Sequence, residues 1–238
     1  MKRKALIIGA AYHDPTIPGV YEDVQIWRAF LQSPFGGCWD EPEISVLLDP
    51  DVAAVKAAVG GMNAEYAFVV FAGHGETLKL SKPWRETVLH LGNHGVVTDS
   101  DLNPGTARTS MVLDCCRGVD NLLESVHFSE VSKSASTLPE EHRIRHRVAF
   151  DSEVGRAEEG LVQIFAAREG EYADDAKSFT RQLIFVAMSN MEKHRGTLHQ
   201  NVAVELVAEM MKKETPQQHP EYKGGRRLNH FPFAIHVI

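Results

Sequence analysis

Two short segments of this sequence carry side chains that could act together in covalent catalysis. Residues 71–76 read FAGHGE and residues 114–118 read DCCRG, and both segments directly follow apolar runs. A cysteine attacks as a thiolate, which a neighbouring imidazole can generate by accepting the thiol proton. His74 and one of the two cysteines therefore predict a thiol nucleophile with its base. The backbone amides of Gly75 and of that cysteine are candidate donors to an oxyanion.

The apolar runs before these segments are predicted to be buried strands that end at glycine-containing turns. Tyr66–Phe71 leads to His74, and Thr109–Leu113 leads to the cysteines. Both runs belong to a longer alternation of apolar and amphipathic segments, which is typical of a parallel sheet with helices on both faces. The other predicted strands are Lys4–Ala11, Glu43–Leu48, Leu161–Ala167 and Phe231–Val237. The predicted helices are Tyr21–Leu31, Val52–Val59, Phe179–Met191 and Leu198–Met211.

Two regions depart from this alternation. The segments Thr77–Leu80 and Glu86–Leu91 predict a small hairpin that projects from the sheet after His74. Residues 128–160 are rich in Ser, Glu, Arg and His and show no sustained apolar period. This composition predicts a long exposed loop, and loops of such length are usually functional or flexible.

The composition disfavours several classes of protein. A net charge of −7 over 238 residues argues against nucleic-acid binding, because phosphate neutralisation needs a concentrated basic surface. Three cysteines, two of them adjacent, do not make a disulfide framework and favour a reducing compartment. The apolar run behind the basic residues 2–4 is too short for a signal peptide, and no run reaches the roughly 18 residues of a membrane span. We expect a cytoplasmic protein that binds neither membranes nor nucleic acid.

The sequence predicts no metal or cofactor. His90 and His94 are four residues apart, as are His142 and His146, but neither pair has an acidic third ligand at a metalloprotease spacing. Residues 9–14 lack the glycine pattern of a dinucleotide-binding turn. A cysteine phosphatase is disfavoured as well, because asparagine and leucine occupy positions 121 and 122, where its phosphate-binding arginine would stand.

Taken together, these segments resemble a known family. The stretch Lys4–Leu113, with its Gly-His-Gly and Asp-Cys-Cys-Arg-Gly segments, is similar to the caspase-like cysteine peptidases, above all to their prokaryotic metacaspase-related branch. The resemblance implies an α/β fold, a three-layer αβα sandwich with a mostly parallel six-stranded sheet. Family nucleophiles lie directly before Arg-Gly in caspases and two residues after an aspartate in metacaspases, and both alignments select Cys116. Cys115 is then expected to face the core, and Cys38 to be a packing residue.

The resemblance also implies where a substrate binds. Asp114 stands two residues before Cys116, and Asp23 lies at the position of a second acid in the family's pocket. Two carboxylates would repel an aspartate side chain and pair with a guanidinium. We therefore expect cleavage of protein substrates after arginine or lysine, with Cys116 as the nucleophile and His74 as the acid and base. The alternative is a catalytically silent family member that acts as a binding or scaffold module.

The predicted loop gains a role under this resemblance. A single domain, residues 1–238, would divide into a large-subunit-like part (1–127), an exposed linker (128–160) and a small-subunit-like part (161–238). Related zymogens are often cut in the linker, by themselves or by an upstream protease, and the basic residues there suit a pocket for arginine or lysine. They are Lys133, Arg143, Arg145, Arg147 and Arg156. The resemblance further suggests a bacterial role in regulated proteolysis or defence, and it leaves calcium activation open.

Overall fold

The computed structural model describes residues 1–12, 16–79, 85–116, 139–171, 173 and 178–237, and of Cys116 it describes the backbone. The strands are β1 (Arg3–Ala10), β2 (Ile44–Leu48), β3 (Tyr66–Lys79), β4 (Arg85–His90), β5 (Val96–Thr98), β6 (Arg108–Cys116), β7 (Gly160–Phe165), β8 (Gly196–His199), β9 (Glu221–Lys223) and β10 (Pro232–His236). The α-helices are α1 (Gly19–Gln32), α2 (Val52–Gly60), α3 (Glu140–Arg156), α4 (Phe179–Lys193) and α5 (Gln200–Glu214).

The main sheet has the strand order β2-β1-β3-β6-β7-β9. Its first five strands run parallel, and β9 runs antiparallel to β7. This arrangement confirms the predicted mostly parallel six-stranded sheet. The far end of β3 pairs with β4, and β4 pairs with β5, which confirms the hairpin predicted after His74. The final strand, β10, pairs with β8 in a separate two-stranded sheet, so it lies outside the main sheet.

Two apolar clusters cover the two faces of the main sheet. Alternate residues of the parallel strands face helices α1, α3, α4 and α5, where the rings of Trp27, Phe68 and Phe150 are buried. The residues between them face α2 and β4 on the other side, where Val55 and Leu89 lie. Burial on both faces explains why these strands are continuous apolar runs in the sequence.

A buried ion cluster fixes helix α3 to the amino end of β1. The guanidinium of Arg3 lies 4.4 Å from the centroid of the Trp39 ring and pairs with Glu43 at 3.3 Å and with Asp151 of α3 at 3.2 Å. Arg147 of α3 pairs with the same Glu43 at 2.5 Å. We refer to Arg3, Glu43, Arg147 and Asp151 as the amino-end cluster. Its four charges connect the first strand, the segment before β2 and helix α3.

Helix α3 shows that the prediction of an exposed loop over residues 128–160 was wrong for residues 140–156. His146, Phe150 and Val154 are buried and form one stripe along the helix at four-residue spacing, while most of the other side chains are polar. Because the stripe is so narrow, the segment is strongly hydrophilic overall and resembles a loop in sequence. Acidic residues in the first turn and a basic residue in the last turn favour the helix through its dipole. Residues 117–138 lie outside the described part of the chain.

Candidate active site

The sheet brings the backbones of the two predicted catalytic residues side by side. In the parallel pairing of β3 with β6, His74 is the partner of Cys116, and Ala72 is the partner of Asp114. Cys116 is the last residue of β6. In open α/β sheets ligands bind beyond the carboxyl ends of the strands, which is where this pair lies. The two candidate oxyanion donors, the amides of Gly75 and Cys116, belong to the same two strands.

The segment around His74 is part of a strand, so the prediction of a turn was wrong. Strand β3 continues past His74 to Lys79 and pairs there with β4. The glycines on either side of His74 are required by close neighbours. A Cβ atom on Gly73 would lie 2.7 Å from the carbonyl oxygen of Ala10, and one on Gly75 would lie 2.9 Å from Sγ of Cys115. Glycine at both positions lets β1 and β6 approach β3 beside the candidate base.

The cysteines other than Cys116 are packing residues. Cys115 is 1% exposed and belongs to the apolar cluster that contains Leu89 and Leu113, which confirms the prediction that it faces the core. Cys38 is equally buried, and burial raises the pKa of its thiol. A raised pKa leaves little thiolate at Cys38 at neutral pH, and burial in the core keeps a substrate from Cys115, so neither position suits a nucleophile. The side chain of Cys116 lies outside the described part of the structure.

The two predicted pocket acids come together on the α1 side of the sheet. The hydroxyl of Ser178 donates to Asp23 at 2.9 Å and lies 3.4 Å from Asp114. Asp114 also accepts a hydrogen bond at 2.8 Å from the backbone amide of Thr180, in the first turn of α4. Burial, and secondly the charge of Asp114, raise the pKa of Asp23 to about 7. Two carboxyl groups therefore share a small, largely buried space at the carboxyl end of the sheet.

Arg181, which sequence reasoning missed, completes this group. Its guanidinium pairs with Glu22 and with Asp23, each at 2.9 Å, and its side chain is 15% exposed. The available sequence signal was weak: Arg181 lies in the first turn of α4, where the helix dipole disfavours a cation. The acids that hold it come from α1, which is distant in sequence, so the pairing needed the tertiary structure. We refer to Glu22, Asp23, Asp114 and Arg181 as the pocket cluster.

Four of the five predicted processing residues lie in helix α3 and are not in a loop. They are Arg143, Arg145, Arg147 and Arg156. Arg147 is held in the amino-end cluster, and Arg143 pairs with Asp40 at 3.6 Å. A helical segment must first be released into an extended form to bind as a strand in a protease cleft. The exposed loop that was predicted to carry these four residues is therefore a helix, and Lys133 lies outside the described residues.

The part of the chain that the structure describes shows no group of three or more His, Cys, Asp or Glu side chains placed to hold a metal ion. None of the helices described here is both long enough and apolar enough to cross a membrane.

The sheet order, with a histidine and a cysteine paired at its carboxyl end, is that of a caspase-like α/β protein. The model of the caspase domain family matches residues 2–225, and this chain belongs to that family. Solved structures with the same fold include a protein from Geobacter sulfurreducens, with 16% identity over 94% of this chain and 93% of the other and a TM-score of 0.58. Caspase-1 from Spodoptera frugiperda is 13% identical, over 93% of this chain and 86% of the other, with a TM-score of 0.57. The search of curated proteins finds no match.

Proposed function

We propose that this protein is a cysteine endopeptidase of the caspase type that cuts protein substrates after arginine or lysine. The observation that carries the proposal is the pairing of His74 with Cys116 across β3 and β6. Membership of the caspase domain family supports the same chemistry. Cys116 is the nucleophile, because Cys115 and Cys38 are both buried.

In the proposed reaction His74 accepts the thiol proton of Cys116, and the thiolate attacks the carbonyl carbon of the scissile peptide bond. The backbone amides of Gly75 and Cys116 donate hydrogen bonds to the resulting oxyanion. As the carbon–nitrogen bond breaks, His74 gives its proton to the leaving amine. A water molecule, deprotonated by His74, then hydrolyses the thioester and restores the free thiol.

The preference for a basic residue follows from the charge of the pocket cluster. It contains three carboxyl groups and a single guanidinium, so it attracts a cation and repels an aspartate side chain. Asp114 is fixed beside the strand end that carries Cys116, two residues away. A substrate side chain that reaches this acid therefore belongs to the residue at the scissile bond.

Cysteine substitutions test the chemistry. We expect Cys116→Ala to abolish cleavage of fluorogenic peptides that end in arginine, while Cys115→Ala, the matched control one residue away, keeps it. His74→Ala should also abolish cleavage, and His90→Ala on the neighbouring strand should not. Equal cleavage by Cys116→Ala and the wild-type protein would exclude Cys116 as the nucleophile. If neither protein cleaved the peptides, the binding or scaffold module would be favoured.

A peptide panel tests the specificity. The same fluorogenic peptide is made with arginine, lysine or aspartate before the cleaved bond, and kcat/KM is measured for each. We expect arginine and lysine to be cleaved at least about a hundredfold faster than aspartate, because the repelled side chain costs several kcal/mol. Faster cleavage after aspartate would overturn the specificity and leave the chemistry standing.

We confine the proposed activating cut, whether by the enzyme itself or by an upstream protease, to the segment before α3. Lys133 is the candidate there. Replacing it with alanine should prevent self-cleavage and activation. Replacing the two exposed arginines of α3, Arg145 and Arg156, with glutamine serves as the control and should leave the cut in place, detected by gel electrophoresis and mass spectrometry. An uncut Lys133→Ala protein with full activity would exclude activation by this cut.

A further inference from the structure

The guanidinium of Arg181 lies where the proposed function places the basic side chain of a substrate. Its Nε atom donates to Oδ1 of Asp23 at 2.9 Å, while the hydroxyl of Ser178 donates to Oδ2 at 2.9 Å. Both carboxylate oxygens of Asp23 thus already accept hydrogen bonds from this chain. A substrate guanidinium can pair with Asp23 after Arg181 has moved away.

Local helix electrostatics do not explain why a cation stands at this place. Arg181 lies in the first turn of α4, close to the positive end of that helix dipole. Its Nη2 atom would also lie 3.4 Å from a Cβ atom on Gly19, the first residue of α1, so it is close to the amino end of a second helix. Two helix dipoles disfavour the guanidinium, and the carboxyl groups of Glu22 and Asp23 hold it there.

We propose that Arg181 is an internal ligand of the pocket cluster, which competes with the basic side chain of the substrate for Asp23 and thereby sets the affinity for substrate. The inference rests on the proposed specificity for arginine or lysine. Arginine is well suited to the role, because its planar fork reaches two carboxylates at once. A substrate then has to offer enough further contacts to displace it, so the internal ligand discriminates against weakly bound peptides.

Binding measured without turnover tests this inference. In the Cys116→Ala background, calorimetry gives the affinity for a peptide that carries arginine at the cleaved position and for the same peptide with citrulline, its neutral isostere. Arg181→Gln should bind the arginine peptide about tenfold more tightly, the equivalent of one lost competing ion pair, and the citrulline peptide unchanged. Arg181→Lys, which keeps the charge and loses the fork, should fall between the wild-type protein and Arg181→Gln. Arg28→Gln, an exposed arginine of α1 that pairs with Glu41, is the matched control and should change neither affinity.

The pH dependence adds a readout that a merely structural role would not move. The positive charge of Arg181 lowers the pKa of Asp23, against burial and the charge of Asp114. Without Arg181 the free pocket holds a proton more tightly, and an incoming guanidinium must release it. The gain in affinity of Arg181→Gln should therefore be larger at pH 8.5 than at pH 6.

The outcomes separate this inference from the proposed function. If every variant prefers the arginine peptide to the citrulline peptide by the same factor, the specificity stands and the role of Arg181 is overturned. If no variant prefers the arginine peptide, the specificity itself fails, and the inference fails with it. Arg181→Lys keeps a cation in α4. If it bound the arginine peptide more weakly than the wild-type protein does, the inference would also be overturned. Melting temperatures of all variants show which of them are folded.

Discussion

The two ends of the main sheet carry ion clusters that are built in opposite ways. In the amino-end cluster a cation lies at the centre: Arg3 is 1% exposed and has a carboxylate on either side, Glu43 and Asp151. In the pocket cluster the acids lie at the centre, because Asp23 and Asp114 share the hydroxyl of Ser178. One cluster separates like charges, and the other brings them together.

The pKa values of the acids follow this difference. Burial disfavours the charge of Glu43, but hydrogen bonds from Arg147 and from the amide of Asp40, with the charge of Arg3, hold its pKa below the ordinary value. Burial and the charge of Asp114 raise the pKa of Asp23 to about 7, despite Arg181. Strongly perturbed pKa values are concentrated at functional sites, although ion-pair networks that serve folding also perturb them. We therefore expect the amino-end cluster to affect stability, and the pocket cluster to have the binding role proposed above.

The largest expected effect is the loss of the central cation of the amino-end cluster. Arg3→Met keeps the apolar stem of the side chain but removes the guanidinium that pairs with Glu43 and Asp151. This loss should lower the free energy of unfolding by about 3–5 kcal/mol. Urea denaturation measures the change. Arg28→Met, at an exposed ion pair with Glu41, is the control and should cost less than about 1 kcal/mol. Equal losses in the two variants would mean that the amino-end cluster does not stabilise the fold.

The next largest effect is the loss of stability when Glu43 loses its charge, and this loss depends on pH. Glu43→Gln should lower the free energy of unfolding at pH 7 by about 2–3 kcal/mol, because it removes charged hydrogen bonds to two arginines. The pKa of Glu43 is lowered in the folded protein, so the stabilisation is present above its ordinary value of 4.5 and is lost as the pH falls through the folded value. The difference between Glu43→Gln and wild type should therefore shrink in acid. Glu41→Gln is the control. If Glu43→Gln were destabilised at pH 3 by as much as at pH 7, the prediction would be contradicted.

Much of the main sheet could be predicted from the sequence, because strands buried on both faces are continuous apolar runs. The run Lys4–Ala11 and the observed strand Arg3–Ala10 differ by a single residue at each end. Helix α3 could not be predicted in this way, since its three buried side chains leave the segment polar. Leu198 and His199 were predicted as the start of a helix but belong to strand β8, which exists because it pairs with β10, some thirty residues later.

In the candidate site, too, some residues could be predicted from local motifs and others could not. His74 was predicted from its short motif after an apolar run, and Asp23 and Asp114 from the positions that the family resemblance marks. Arg181 carries no motif, and its meaning depends on the approach of α4 to α1, which no local pattern encodes. Arg147 was placed in an exposed loop for the converse reason: its segment is polar, but it lies in α3 and pairs with acids before β2.

The pocket cluster should respond to pH in the opposite direction to the amino-end cluster. The folded pKa of Asp23, about 7, exceeds the ordinary value of 3.8, so the folded state binds the proton more tightly and wild-type stability falls as the pH rises between these values. Asp23→Asn removes this titration. Its stability relative to wild type should therefore increase by roughly 2 kcal/mol from pH 5 to pH 8.

Denaturation of both proteins across that range measures this change. Glu209→Gln, at an exposed pair with Lys212 on α5, controls for a general effect of charge and should show no such trend. A relative stability of Asp23→Asn that decreases from pH 5 to pH 8 would mean that the carboxylate of Asp23 is satisfied like that of Glu43. The distinction between the two clusters would then fail.

The smallest expected effect comes from the shared hydroxyl of Ser178. Its hydrogen bond favours the charged form of Asp23, so Ser178→Ala should raise the pKa of that carboxyl still further and cost about 1 kcal/mol of stability. The stability of Ser178→Ala should then keep falling to a higher pH than that of the wild-type protein before it levels off. The denaturation series, repeated with Ser178→Ala alone and together with Asp23→Asn, measures this. Ser100→Ala, at an exposed hydrogen bond to Glu86, provides the control. If the stability of Ser178→Ala levels off at the same pH as that of the wild-type protein, or at a lower pH, the hydroxyl does not stabilise the charged form of Asp23. Arg181 would then be the only group of the two that lowers the pKa of Asp23 against burial and the charge of Asp114.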